Sequence, residues 1–303
     1  MINFLTWETD ENYVRIKEIY MCRNQKAKPL KELNLTNRFL FDAVMEDPQT
    51  QQDALSIIFG QEIPLLDKNE SEKEFRVSPL ICSIRMDVFS MDRERVIYNT
   101  EMQGTYRDDL AKRSRYYQSL LDSSLLEPGV ISYNLLNQTY IIMFMPFDLF
   151  GYGRYVYTFR AVCQEEPKCF LGDGATRIFL NTRGTNDEEV SPELVEFLHY
   201  LENTTDKEAA QSDSERIKRI HNRVCKVKAN EEIGVKYMQA WEERIYDRQE
   251  AREEGLAEGR AEGQTEGEER ARKIFKLYMQ GCNAEEIAAQ LELTVEKVKS
   301  ILE

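Results

Sequence analysis

The stretch from Ile81 to Tyr117, ICSIRMDVFSMDRERVIYNTEMQGTYRDDLAKRSRYY, constrains this chain more than any other. It reads as a strand, a tight charged connection, a second strand and then a basic helix. Side chains alternate along a strand, so Ile81, Ser83, Arg85, Asp87 and Phe89 share one face of the first. In the second, Ile97, Asn99, Glu101 and Gln103 fall together. An antiparallel register that sets Asp87 opposite Glu101 centres the turn on Glu94, which suits an odd-length loop around Arg93-Glu94-Arg95. Opposed residues in such a pair point the same way, with Cβ atoms about 4.5–5.5 Å apart. Two carboxylates that close repel unless a cation lies between them or one is protonated. A hard divalent ion such as Mg2+ takes oxygen ligands and keeps waters, one of which can be ionised toward a phosphorus. Gln103 follows on the same side, where its amide would orient the attacking water or a phosphate oxygen. Slipping the register by one residue sends Asp87 and Glu101 to opposite faces, so the chemistry rests on the register.

The segment Arg107 to Gln118 then adds Lys112, Arg113 and Arg115, with Tyr117 one turn beyond Arg113 at i, i+4. Carboxylates backed by a short basic helix suit an anionic substrate. The competing reading is a polar, solvent-facing stripe on an ordinary hairpin, because a D…ExQ pattern is common by itself.

RMDVFSMDRERVIYNTEMQ, followed by RSRYYQSLLDSSLLEPGVISYNLLNQTYIIMFMPFDLF, resembles the recombination-promoting nuclease and transposase family, a branch of the PD-(D/E)XK nuclease superfamily. The resemblance covers roughly Leu33 to Cys163. It follows an order of apolar Asp strand, acidic turn, E-M-Q, Arg-rich helix with paired Tyr, and apolar strand. It implies an α/β fold with a mixed central sheet flanked by helices. It also implies hydrolysis of DNA phosphodiesters with Mg2+, or Mn2+ in its place. Carried over by position, Asp87 and Glu101 would be the metal ligands and catalytic carboxylates. Gln103 would occupy the slot that is Lys in the wider superfamily. The basic helix itself, through Lys112, Arg113, Arg115 and Tyr117, is the candidate for holding the DNA strand. The Pro that often precedes the Asp in the superfamily is replaced by Met86.

Composition sets limits on the rest. With 31% charged and 42% hydrophobic residues, the 303-residue chain can bury a core. A net charge of −14 argues against broad non-specific nucleic-acid binding while leaving room for a local basic groove. Six cysteines are scattered without metal-type spacing and only His199 and His221 are present, so no zinc site is expected. The absence of a secretory segment or long apolar run predicts a reduced, cytoplasmic protein with no membrane partner.

Along the chain, Tyr13, Ile16, Ile19 and Tyr20 mark a short N-terminal helix. Thr36 or Asn37 caps a second helix, where Asp42 or Glu46 is a candidate extra carboxylate. Pro48 starts another that Gly60 ends. Asp67 to Glu74 reads as a polar link, and Glu127-Pro128-Gly129 as a turn. Tyr140 to Phe147 is continuously apolar, as in a strand buried on both faces. Gly151-Tyr152-Gly153 marks a turn, Tyr155 to Cys163 and Thr176 to Thr182 read as strands, and Pro192 opens a packing helix. His199 has no Ser or Cys constellation beside it. Arg216, Lys218, Arg219, Arg223, Lys226 and Lys228 form the most basic neighbourhood, either a phosphate-contacting face or a solvated one. Four Glu-Gly pairs ending at Gly255, Gly259, Gly263 and Gly267 then repeat every fourth residue. They imply either a self-association helix or an acidic spacer.

From Arg270 the pattern reads as helix, turn, helix, with Ile274, Leu277 and Tyr278 on one face. Gly281 ends the first helix, Asn283 or Ala284 starts the second and Thr294 caps the third. Its last helix offers only Lys297 and Lys299 against Glu296 and Glu303, so assembly is favoured over DNA targeting. The predicted organisation is a nuclease domain at 1–203, a helical extension at 204–268 and a small helix-turn-helix-like module at 269–303, with a homo-oligomer formed through the helical tail. Two functions follow from different classes: a metal-dependent DNA endonuclease that promotes recombination or transposition, or a nuclease-fold protein that binds without cutting.

Overall fold

The computed structural model describes residues 27–63, 68–75, 84–125 and 132–303, with backbone alone for 68–75 and 84–87. The expected helix around Tyr13–Tyr20, the strand start at Ile81 and the turn at Glu127–Gly129 lie outside the described residues. One compact unit runs Lys26–Met238; Gln239–Glu303 belongs to another.

In the first unit, Asn37 and Asp47 accept hydrogen bonds from the Leu40 and Thr50 N–H groups. These cap α1 (Arg38–Met45) and α2 (Pro48–Phe59). Pro48 stands in the first turn of α2, and Gly60 closes it in the left-handed region at φ 64°. Six strands follow: β1 (Lys68–Phe75), β2 (Ile84–Met91), β3 (Ile97–Met102), β4 (Thr139–Met145), β5 (Val156–Phe159) and β6 (Ala175–Asn181). Their spatial order is β1-β2-β3-β4-β6-β5. The β1-β2-β3 meander and the β5-β6 pair are antiparallel, while β3-β4 and β4-β6 are parallel. The helix α3 (Leu110–Leu125) lies between β3 and β4 in sequence and supplies the crossover that a parallel pair requires. This is a mixed sheet flanked by helices.

The segment expected to be a polar link is the edge strand β1, paired with β2 from Lys68 opposite Met91 to Phe75 opposite Ile84. Its charged residues hide the strand from pattern reading, although charge is what a sheet edge uses to discourage pairing with other chains. Strand β4 is central, and its continuous apolar run is buried on both sides, as expected. On one face, Val88, Tyr98, Ile142, Phe144, Ile178 and Leu180 pack on α1, α2, α4 (Pro192–Glu202) and α6 (Glu215–Ala229). On the other, Phe89, Ile97, Ile141, Met143, Met145 and Phe179 pack on Leu110, Tyr117, Leu120 and Leu121 of α3.

The compact unit continues past the boundary expected at residue 203. After the short α5 (Asp206–Gln211), α6 buries Ile217, Ile220, Val224 and Val227 in the main core. Its basic residues are largely used inward. Arg219 grips the buried Asp53 with two N–H groups at 2.7 and 2.8 Å, Arg216 pairs with Glu62 and Glu193, and Arg223 donates to the Ala43 carbonyl at 3.3 Å. Tyr237, near the start of α7 (Glu231–Met279), stacks obliquely on Phe39 and donates to the Lys28 carbonyl.

In the second unit, α7 passes through all four Glu-Gly pairs without a break. It ends before Gly281, whose φ of 91° is the left-handed stop. Asn283 and Glu286 form a reciprocal capping box on α8 (Ala284–Gln290), and Thr294 caps α9 (Val295–Leu302). Ile274, Ile287, Ala288 and Val298 form a small core, while Tyr278, expected on that face, is exposed. Among the described residues, no helix is long and apolar enough to cross a membrane.

Candidate active site

The β2-β3 hairpin pairs Val88 with Thr100, Phe89 with Asn99, Ser90 with Tyr98 and Met91 with Ile97, so its turn is centred on Glu94. Continuing that register by one pair sets Asp87 opposite Glu101. The sequence did not show what fixes it. Asp92, 3% exposed, accepts the N–H groups of Glu94 and Val96 on Oδ1 at 3.0 and 2.9 Å and the Tyr98 hydroxyl on Oδ2 at 3.1 Å. The Arg95 N–H donates to the Asp92 carbonyl, and Arg95 adopts φ 64°, which closes the loop. Burial first, and the Asp92 carboxylate second, push the Tyr98 phenol well above its usual pKa, so it stays a donor.

Glu101 lies near the C-terminal end of β3 and is 3% exposed. Asn99 Nδ2 donates to its Oε1 at 3.1 Å, and Arg113 Nη2 stands 3.9 Å from Oε2. Arg113 also donates to Gln103 Oε1 at 3.2 Å and to the Tyr117 hydroxyl, with its guanidinium carbon 5.0 Å from the Tyr117 ring centre. Gln103 Nε2 in turn donates to the Thr105 carbonyl at 2.9 Å. The amide expected to face water or phosphate is therefore held between a guanidinium and the backbone, which orients it.

Glu101, Gln103, Thr105 and Arg113 line a cleft of about 590 Å3 with Thr36, Asn37, Arg38, Arg107 and Gly104. The close approach of β3 to the N-terminus of α1 needs Gly104, because a Cβ there would sit 3.0 Å from the Thr36 carbonyl oxygen. The opening thus combines the end of a parallel strand with a helix N-terminus, both favourable to an anion. Arg107 is held by Asp109 through two hydrogen bonds, which raise its pKa and depress that of Asp109.

Among the basic residues expected to hold DNA, only Arg113 lines this cleft. Lys112 and Arg115 are exposed on α3 and do not line it. Tyr117 requires a correction: it is 2% exposed in the core beneath the sheet, so it braces Arg113 and presents no ring to a strand. The helix begins at Leu110, later than Arg107, which places Arg107 on the loop. Arg38 and Arg107 were missed because their contribution comes from tertiary proximity. The candidate extra carboxylates do not line the cleft: Asp42 is buried with Arg38 Nε 3.7 Å away, and Glu46 is exposed at the end of α1. His199 is hydrogen-bonded to Tyr155 at 3.2 Å.

A family model of PD-(D/E)XK nuclease family transposases matches residues 64–255, a span that contains the meander, α3, the parallel strands and the cleft wall from Glu101 to Arg113, but not Thr36, Asn37 and Arg38. The chain belongs to this family. No curated protein and no solved structure matches it. The mixed sheet with its flanking helices is the PD-(D/E)XK α/β fold, as the resemblance implied. PD-(D/E)XK nucleases generally use divalent metal ions.

Proposed function

We propose that this PD-(D/E)XK protein is a divalent-metal-dependent DNA endonuclease of the recombination or transposition type. Mg2+, or Mn2+ in its place, would be held by Asp87 and Glu101. The observation that carries this reading is the hairpin register from Val88 opposite Thr100 to Met91 opposite Ile97, whose continuation by one pair would bring Asp87 opposite Glu101, itself buried on the wall of a cleft lined by Arg38, Arg107 and Arg113. A buried carboxylate with one oxygen fixed by Asn99 is a pre-oriented oxygen donor, and an opposed second carboxylate gives the donor set a hard cation takes. The bound ion would supply phosphate polarisation and a bound water that loses its proton more readily than bulk water. The chain's own residues do the rest. Arg38, Arg107 and Arg113 draw in the phosphate, the N-terminus of α1 favours its charge, and Gln103 orients Arg113 by accepting its hydrogen bond.

A second reading has a specific observation behind it. Arg113 already lies 3.9 Å from Glu101 and bonds Gln103, the place where a cation would be felt. In that case the protein binds DNA or assembles without cutting.

Plasmid nicking with Mg2+, Mn2+ or EDTA separates the two. The nuclease reading expects cutting only with metal, none in folded Asp87→Ala or Glu101→Ala, and metal affinity weakened about 10–100-fold in Asn99→Ala, which loses the outer hydrogen bond to Glu101. Cutting absent under every metal condition favours the binding reading, and metal-dependent cutting that survives both substitutions removes Asp87 and Glu101 as the metal-holding pair.

A further inference from the structure

A cluster of ligand-type side chains lies elsewhere, at the corner where α4, α5 and α6 meet. His221 and Cys225 stand one turn apart on α6, an i, i+4 pair facing the same way. Asp206, the first residue of α5, reaches them from the neighbouring helix. Their ligand atoms all lie within 4.8 Å of one another. His221 Nε2 is the hub, 3.1 Å from Asp206 Oδ1 and 3.4 Å from Cys225 Sγ.

These separations are close to those of a shared ion. Tetrahedral zinc with bonds of about 2.0 Å to nitrogen and oxygen and about 2.3 Å to sulfur has N···O and N···S edges of about 3.3 and 3.5 Å. The other ring nitrogen is also provided for. Tyr200, 2% exposed on α4, places its hydroxyl 2.8 Å from His221 Nδ1. Outer partners of this kind orient metal-binding histidines and fix their tautomer. Burial raises the Tyr200 phenol far above its usual pKa, so it remains a neutral hydroxyl beside the ring.

Without a cation the arrangement is poorly matched. Nε2 carries at most one proton and faces both a carboxylate and a sulfur, so it cannot donate well to each. The nearby Lys228 ammonium is directed to the Thr204 carbonyl at 3.4 Å. One doubly charged ion would neutralise a thiolate and a carboxylate and bond all three atoms at once.

We propose that Asp206, His221 and Cys225 form a site for a borderline-soft divalent cation of the zinc class, with an open fourth position, which ties α5 to α6. Mixed sulfur, nitrogen and oxygen donors select this class over Mg2+, which seeks oxygen alone. The sequence concealed the site because Asp206 lies far from the His-x3-Cys pair along the chain, and no familiar cysteine spacing marks it.

The test is Co2+ titration of the metal-free full chain carrying Asp87→Ala and Glu101→Ala, so that the candidate nuclease centre contributes no ion. One equivalent should produce a thiolate-to-cobalt charge-transfer band that Zn2+ displaces. Cys225→Ser should abolish the band, and His221→Gln should weaken binding about tenfold or more. Zn2+ should also slow alkylation of Cys225, mapped by mass spectrometry in the chain with its cysteines intact, and raise the melting temperature there but not in Cys225→Ser. A folded chain that gives no such band, an undiminished band in Cys225→Ser, or alkylation of Cys225 unaffected by Zn2+ overturns the proposal.

Discussion

Asp92 shows how one side chain governs the candidate chemistry from outside the cleft. Its carboxylate gathers two backbone N–H groups and a phenol at the hairpin turn, and the pairing of every residue along β2 and β3 follows from that turn. Asp92→Ala leaves three donors without their acceptor, so we expect a loss of about 1–3 kcal/mol in denaturant unfolding. If Asp87 and Glu101 act as a pair, the same variant should lose metal-dependent nicking more than its stability predicts. Asp148 performs a similar role beyond β4. Burial alone would raise its pKa, but the Tyr157 hydroxyl and the N–H groups of Gly153, Gly151 and Phe150 outweigh this and hold it below the ordinary 3.8. A depressed carboxylate contributes stability that is present above its unfolded pKa and lost as pH falls through the folded one. Thermal melts should therefore show wild type ahead of Asp148→Asn at neutral pH, with the gap closing below about pH 3.8. The hairpin candidates were legible because alternation, a short charged loop and E-x-Q lie within one local stretch. Asp92 was not, since an acid next to a turn looks the same whether it is solvated or buried.

At the scale of elements, α6 and α7 carry opposite lessons. The charge-rich sequence of α6 has the look of a phosphate-contacting or solvated face, yet it packs four aliphatic residues into the core and turns its arginines onto Asp53, Glu62, Glu193 and a carbonyl. Helix α7 keeps its glycines exposed, and a Cβ at Gly255, Gly259, Gly263 or Gly267 would meet nothing within 4 Å. Each Gly→Ala change should stabilise the helix by about 1 kcal/mol, read as increased helicity and a later melt by circular dichroism. If the stripe serves close approach of a second copy, the fourfold Ala variant should also sediment at lower average mass than wild type. Unchanged association would leave the stripe as an acidic spacer.

For the whole molecule, the division between units falls near Met238, within α7. A chain ending at Met238 keeps α6 and the Tyr237 anchor on Phe39, and it should unfold in one cooperative transition with the cleft intact. A chain ending at residue 203, the boundary drawn from composition, exposes the core surface that Ile217, Ile220, Val224 and Val227 cover. Burying each such side chain is worth about 1.5–3 kcal/mol, in sum comparable to a domain's usual margin, so this shorter chain should aggregate or show no cooperative melt. Size-exclusion chromatography and calorimetry of the two truncations decide the matter.

The sequence by itself determined the strand-turn-strand register, the burial of β4, the caps of α1, α2, α8 and α9, and the membership in the nuclease fold. Each of these is written in residues close together, where side-chain periodicity and turn geometry act. Tertiary structure alone decided that Arg38, Arg107 and Arg113 meet Glu101 in one cleft, that Tyr117 is buried, and that Asp206 reaches His221 and Cys225. Those placements depend on how helices distant in sequence settle on the two faces of the sheet, and that is set by mutual burial of apolar surface, which no local pattern encodes.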